Sequence, residues 1–350
     1  MLSQSEQAVI EPTDLTPPPA KKVNGDTLHV DQLTVTANSG RGVTTGILRG
    51  VSFTLKRGRA LVLLGESGSG KSITARAILG LLPGSMTAGG SIQLGERNLL
   101  DLSPKDRNGL RGDRIAFIPQ DPTGALNPFV RVVGQIVEVL RTHRPEMSRK
   151  DCKARAIELL RMVRIPDPER VARAWPHELS GGMRQRVAIA IALSCDPEVL
   201  IADEPTTALD VTVQAQVLEL FRALLADSDS ALLLITHDVG VARELGDDIA
   251  VMYAGRIAEI GPGREVLNNP QHPYTSALLG AVPRATTPRG TLIPIVGQPP
   301  HPGALSGGCA FAPRCTRVSD ACSLSEPELV VTASNDEVQA ACINLVTSEV

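Results

Sequence analysis

Aromatic side chains are scarce in this sequence, with one Trp, two Tyr and five Phe among 350 residues. Positive charge is not in excess either, since 35 Lys and Arg face 38 Asp and Glu for a formal net charge of −3. A nucleic-acid partner needs a cationic field for its phosphates and, for single strands, rings on which bases stack. Both shortages argue against such a partner. The sequence also lacks any uninterrupted run of eighteen apolar residues, so it carries no membrane-spanning helix of its own. Its opening stretch, MLSQSEQAVIEPTD, has no basic segment followed by an apolar one and does not read as a secretory leader. These absences predict a cytoplasmic protein that reaches a membrane only through partners.

What is present is enough apolar material for a sizeable core, 42% of the chain. Residues 1–27 are polar, include Pro17-Pro18-Pro19 and show no apolar period, which predicts a flexible tail. Strand-like runs follow at residues 28–35, 47–55 and 60–64, then a helix over 72–82 and further strands at 91–94 and 114–118. Residues 121–178 break this pattern. Helical spacing over 132–143 and 149–163, edged by Pro122, Pro128, Pro166 and Pro176, predicts a helical insertion. Beyond it, helix 181–193, strand 199–202, helix 213–225 and strand 231–235 alternate. Such alternation predicts an α/β fold with a largely parallel central sheet. Strands 249–253 and 256–260 follow, joined by Ala254-Gly255, and from about residue 263 a Pro- and Gly-rich C-terminal extension is set apart from them.

Between the apolar strand 60–64 and the helix lies Gly65-Glu66-Ser67-Gly68-Ser69-Gly70-Lys71-Ser72, with Ile73 next. Glycines at this spacing let consecutive backbone N–H groups turn inward around phosphate oxygens, and the helix points its positive end at the same anion. Lys71 is expected to reach the outer phosphates and Ser72 to ligate Mg²⁺. The pattern predicts a nucleotide site.

Farther on, Leu179-Ser180-Gly181-Gly182-Met183-Arg184-Gln185-Arg186 precedes an apolar strand that ends in Asp203-Glu204. Alone, Ser180 is an ordinary helix cap and the two acids an ordinary surface pair. In this order after this phosphate loop, they resemble the signature and second Walker motifs of ABC ATPases over residues 28–261. The resemblance implies an antiparallel β subdomain ahead of the P-loop core. It also implies that Ser180, Gly181 and Gly182 cover ATP bound to a second subunit, that Asp203 holds Mg²⁺ opposite Ser72, and that Glu204 is the acid acting on the attacking water. By the same resemblance Gln120 senses Mg²⁺ and water, His237 steadies the γ-phosphate, and Asp210, in Ala208-Leu209-Asp210, faces the partner subunit. One position departs from the family. Ala37 falls where an aromatic ring usually stacks on adenine, which predicts weakened base recognition.

The stretch Gln120-Asp121-Pro122-Thr123-Gly124-Ala125-Leu126-Asn127-Pro128, the run ADEPTTALDVTVQAQ from Ala202, and His272-Pro273-Tyr274-Thr275 resemble the dipeptide and oligopeptide importer ATPases, with nickel importers sharing much of the pattern. The implied assembly has a second ATPase subunit, commonly a different chain, two membrane-spanning permease subunits that dock on the helical insertion, and an extracytoplasmic substrate-binding protein. This chain would sit peripherally at the cytoplasmic face. Finally, Cys309, Cys315, Cys322 and Cys342 crowd the extension. Four loop-borne thiolates can enclose a [4Fe–4S] cluster or a zinc ion. The lack of paired C-x-x-C spacing, and similar tails in peptide-importer ATPases, favour iron–sulphur.

Overall fold

The computed structural model describes residues 26–38, 44–207, 209–282, 294–305, 307–333 and 335–346. The expected tail therefore lies outside the described residues except for Asp26 and Thr27, which already belong to the first strand. Two sheets organise the chain. Strands β1 (Asp26–Asn38), β2 (Thr44–Lys56), β4 (Met86–Leu94) and β5 (Arg97–Asn98) form an antiparallel sheet in the order β2-β1-β4-β5. The larger sheet has eight strands. Four of them, β3 (Ala60–Leu64), β6 (Ile115–Ile118), β7 (Val199–Asp203) and β8 (Ala231–Thr236), run parallel in the order β3-β8-β7-β6. Next to β3 lies β9 (Asp248–Tyr253), also parallel to it, and then β10 (Arg256–Pro262), antiparallel to β9.

The parallel strands are apolar except at their ends, as at Asp203, Thr236 and Asp248, because both faces are covered. Their side chains alternate between two cores. Leu61 and Leu63 of β3, with Leu233 and Ile235 of β8, pack toward the antiparallel sheet and helix α1 (Lys71–Leu79). Val62, Leu64, Leu232 and Leu234 point into the second core, shared with the helices of the opposite face. This two-sided burial fixes strand register, since a slip of one residue would exchange the two faces. It thereby fixes where each strand ends, and the site is built on those ends.

Helix α2 (Pro104–Leu110) precedes β6, and α3 (Pro122–Ala125), α4 (Val132–His143), α5 (Arg149–Met162) and α6 (Pro168–Arg173) make up the expected insertion. Val132, Ile136 and Leu140, one α4 stripe at spacing four, are buried with Cys152, Ala156, Leu159 and Leu160 of α5. Ser148 caps α5 by accepting the Asp151 N–H at 3.2 Å. Helix α7 (Gly181–Ala192) returns the chain to the core, followed by α8 (Val211–Asp227) and α9 (Val239–Leu245).

The extension does not stand apart from the core. After α10 (Gly263–Asn268) and α11 (Pro273–Gly280), strands β11 (Val330–Thr332) and β12 (Asn335–Ala340) join the large sheet, with β12 antiparallel to β10 through Glu259↔Ala340 and Ile260↔Gln339. The pairing escaped the sequence reading because β12, Asn-Asp-Glu-Val-Gln-Ala, lacks an apolar run and buries only Val338 and Ala340. No helix among the described residues is long and apolar enough to cross a membrane.

Candidate active site

The loop between β3 and α1 turns through left-handed conformations at Gly68 and Gly70 (φ 81° and 109°). A Cβ at Gly65 would lie 2.3 Å from the Met252 carbonyl oxygen, a backbone atom that cannot give way, and the φ of 109° at Gly70 strains any other residue, so both positions call for glycine. Lys71 folds under this loop and donates to the carbonyls of Gly65 and Glu66 at 2.7 and 2.9 Å. Burial lowers the pKa of its ammonium, against the opposing charges of Glu204, Asp203 and Glu66. Ser69 Oγ is buried with no hydrogen-bond partner. A curled loop of amides, an enclosed cation and an unpaired hydroxyl fit a polyphosphate.

Ser72, at the start of α1, donates to Asp203 Oδ1 at 3.1 Å. These two oxygens are hard donors at the end of β7, the set Mg²⁺ takes together with phosphates. Burial raises the pKa of the Asp203 carboxyl, and the adjacent Glu204 charge adds to that, outweighing the Ser72 hydrogen bond and the Lys71 charge. A divalent cation at this point would relieve the cost of the buried charge.

Glu204 follows with φ at 47°, a left-handed conformation unusual for a residue with a side chain. Its N–H donates to the Ile235 carbonyl at 2.8 Å. Gln120, just past β6, donates Nε2–H to Glu204 Oε2 at 2.8 Å, and Thr207 donates its hydroxyl to the same oxygen at 3.0 Å. His237, past β8, places Nδ1 2.9 Å from Oε1. Burial alone would raise the Glu204 pKa, but the hydrogen bonds of His237 and Thr207, with the charges of His237 and Lys71, hold it below the ordinary value. An ionised carboxylate only accepts, so the Nδ1–H of His237 is the donor in this contact. A carboxylate offers about four acceptor positions. Three are filled here, which leaves one for a water.

The structure thus gathers Lys71, Ser72, Gln120, Asp203, Glu204 and His237 at the ends of four strands. Gln120, expected by resemblance to sense Mg²⁺ and water, makes its side-chain hydrogen bond to Glu204. Ser180, Gly181 and Asp210 stand on an exposed face instead. Ser180 caps α7 through the Met183 N–H, and Asp210 caps α8 through the Val213 N–H. Gly182 packs so closely on Val213 that a Cβ would come within 2.6 Å of it, so the two helix starts share one surface, with Val211 83% exposed beside them. Arg184 of α7 also donates to Thr123 of α3 at 3.2 Å, tying this surface to the segment after Gln120. Ala208 lies outside the described residues. Ala37 is half-buried in β1 opposite Thr45 and Met86.

Two P-loop contacts had no sequence signal. Arg314 forms a two-pronged ion pair with the Glu66 carboxylate at 2.7 and 2.9 Å, and Tyr274 Oη accepts the Glu66 N–H at 3.0 Å. Pairings across more than two hundred residues leave no local pattern to read.

The site geometry agrees with the comparisons to known proteins. A family model described as "ABC transporter" matches residues 48–207, and one described as "Oligopeptide/dipeptide transporter, C-terminal region" matches residues 258–322. The dipeptide transport ATP-binding protein DppD of Bacillus subtilis is 45% identical over 299 residues, 85% of this chain and 89% of that protein. The chain belongs to the ABC transporter ATP-binding proteins of the oligopeptide/dipeptide family. Escherichia coli OppD, an oligopeptide transport ATP-binding protein, is 44% identical over 86% of this chain and 88% of its own length. Mycobacterium tuberculosis OppD is 46% identical over 90% of this chain, which spans about half (51%) of that longer protein. Among solved structures, the dimeric bacterial ABC transporter cassette MJ0796 matches with a TM-score of 0.61 at 30% identity, covering 68% of this chain and 99% of that one.

The four C-terminal cysteines lie near one another. Cys309 N–H donates to the Cys322 carbonyl at 2.8 Å, and Asn344 reaches Cys342 Sγ through its backbone at 3.3 Å and Cys322 Sγ through its side chain at 3.6 Å. Burial, with the neighbouring Cys309, Cys315 and Cys322, pushes the Cys342 thiol up to about 11. Yet among the described residues no three His, Cys, Asp or Glu side chains are arranged to hold a metal ion. Neither the zinc ion nor the iron–sulphur cluster expected from the sequence finds an assembled ligand set among the described residues.

Proposed function

We propose that this chain binds and hydrolyses ATP as one half of a two-ATPase sandwich and that the hydrolysis drives uptake of dipeptides or oligopeptides. The observation that carries the reading is the convergence of Gln120, Thr207 and His237 on the Glu204 carboxylate beside the Ser72–Asp203 pair. The loop of residues 65–73, with Lys71, binds and orients the phosphates. Ser72 and Asp203 hold Mg²⁺, which neutralises charge between the outer phosphates when bound. Glu204 takes the attacking water at its remaining acceptor position, aligns it and accepts its proton. His237 and Thr207 hold that carboxylate ionised, Gln120 helps to aim it, and His237 Nε2, when it carries a proton, donates to a phosphate oxygen.

The exposed Ser180–Gly181 and Asp210–Val211 surface is the face offered to the second ATPase. The insertion, with Phe129 86% exposed just before α4, is offered to the membrane-spanning permease subunits. In the assembly this chain lies on the cytoplasmic side, and a substrate-binding protein on the other side delivers the cargo. Peptide cargo is favoured over nickel by the matched C-terminal region and by the names of the relatives. Uptake of a labelled tripeptide and of nickel, measured in cells whose only copy is wild type or Glu204→Gln, tests the reading. Loss of the general base should slow ATP turnover by roughly 10²–10⁴-fold and abolish peptide uptake alone. Unchanged peptide uptake rejects the proposal, and loss of nickel uptake alone reassigns the cargo.

A second reading concerns Cys309, Cys315, Cys322 and Cys342. Four neighbouring cysteines, of which Cys315 and Cys342 accept backbone N–H groups at their sulphurs, favour a [4Fe–4S] cluster that pins the extension. Purification without oxygen should then give coloured protein containing iron and sulphide. Colourless, iron-free protein from that preparation rejects the cluster.

A further inference from the structure

Glu66 carries a negative charge inside a loop built for anions, and it is held at three points. Its N–H donates to Tyr274 Oη at 3.0 Å, its carbonyl accepts from Lys71 at 2.9 Å, and its carboxylate takes both terminal nitrogens of Arg314. Two of these holds come from the C-terminal extension. The Arg314 side chain is only 4% exposed, and two further donors are engaged by the Val296 carbonyl at 3.0 Å and by Tyr253 Oη at 3.3 Å. Tyr253, Tyr274 and Phe311 pack together behind it, with ring centroids 4.6–5.3 Å apart. Three rings from so few aromatics in the chain are spent on this one contact.

We propose that Arg314 and Tyr274 are positioning residues for nucleotide binding, holding Glu66 so that the P-loop amides are set for phosphate and its charge is cancelled. The inference rests on the reading of this loop as an ATP site. A guanidinium fork matches a carboxylate in two parallel hydrogen bonds, which fixes orientation as well as charge. Without Arg314, the Glu66 carboxylate would stand unpaired next to incoming phosphates and repel them. Without the Tyr274 hydroxyl, the first turn of the loop would lose the acceptor of its N–H.

The test is a double-mutant cycle on the purified full chain, with ATP affinity, KM, kcat and melting temperature measured for each variant. Arg314→Ala should weaken ATP binding and raise KM roughly 10- to 100-fold with kcat nearly unchanged. Arg314→Lys, which keeps the charge but loses the fork, should fall between, and it carries the comparison if Arg314→Ala does not fold. Glu66→Ala added to either variant should recover most of the loss, because the stranded charge is gone. Tyr274→Phe should raise KM roughly 2- to 10-fold. ATP affinity unaltered in both Arg314 variants overturns the proposal. A double variant no better than its Arg314 parent does so too, assigning Arg314 a structural role only. Wild-type protein that neither binds nor hydrolyses ATP would instead bring down the ATPase reading itself.

Discussion

At the scale of single residues, the site depends on two that behave unlike their type. Glu204 occupies a left-handed backbone conformation that a residue with a Cβ adopts at a cost, of order 1–3 kcal/mol. The turn swings its carboxylate off the end of β7 to where Gln120 and His237 can reach it. Position and type of Glu204 were legible in the sequence; its backbone was not, since the strain is imposed by the pairing of its N–H with Ile235 on the neighbouring strand. Ala37 presents the opposite case, a small residue at the position where the resemblance leads one to expect a ring. Base–aromatic stacking is worth about 1–3 kcal/mol per base in single-strand binding. Ala37→Tyr should therefore tighten ATP roughly 5- to 100-fold and favour it over GTP, read by competition of the two nucleotides for a fluorescent analogue. A native protein that already prefers ATP strongly would show that another side chain supports the base.

At the scale of elements, α11 shows how a weak sequence signal can conceal a built joint. His-Pro-Tyr-Thr reads as a turn into a short helix, and the backbone agrees. The polar environment could not be read. Glu259 of β10 is fully buried and accepts the N–H groups of Gln271 and His272 at 2.8 and 2.9 Å, closing the start of α11. His272 accepts the Tyr274 N–H at 2.9 Å, and burial lowers its pKa to about 4, so it serves as a neutral cap. Glu259→Gln puts an amide NH₂ against one of these donors while keeping the volume. It should cost about 1–3 kcal/mol, measured as a lower denaturant midpoint with unchanged slope. A midpoint like the wild type's would mean that α11 is held by its apolar contacts alone.

At the scale of the whole molecule, the parallel strands and the insertion were legible because their apolar periods are long and regular. Strands 60–64 and 231–235 each keep two buried faces, and α4 keeps one stripe. Helices such as α6 and α9, six and seven residues long, fell below the length at which a period can be recognised. The joining of the extension to the large sheet was invisible for a different reason. Its partner strand β10 lies some eighty residues back, and the pairing is made through backbone groups, which are indifferent to side-chain identity.

That pairing also sets an order of events during synthesis. β10 leaves the ribosome with one row of N–H and C=O groups unsatisfied, and β12 covers it only when residues 335–340 emerge. At 5–20 residues per second the wait is roughly 4–16 s. Through that interval the nascent sheet presents an open edge of the kind on which other chains can pair. The catalytic half of the molecule is translated first and sealed last.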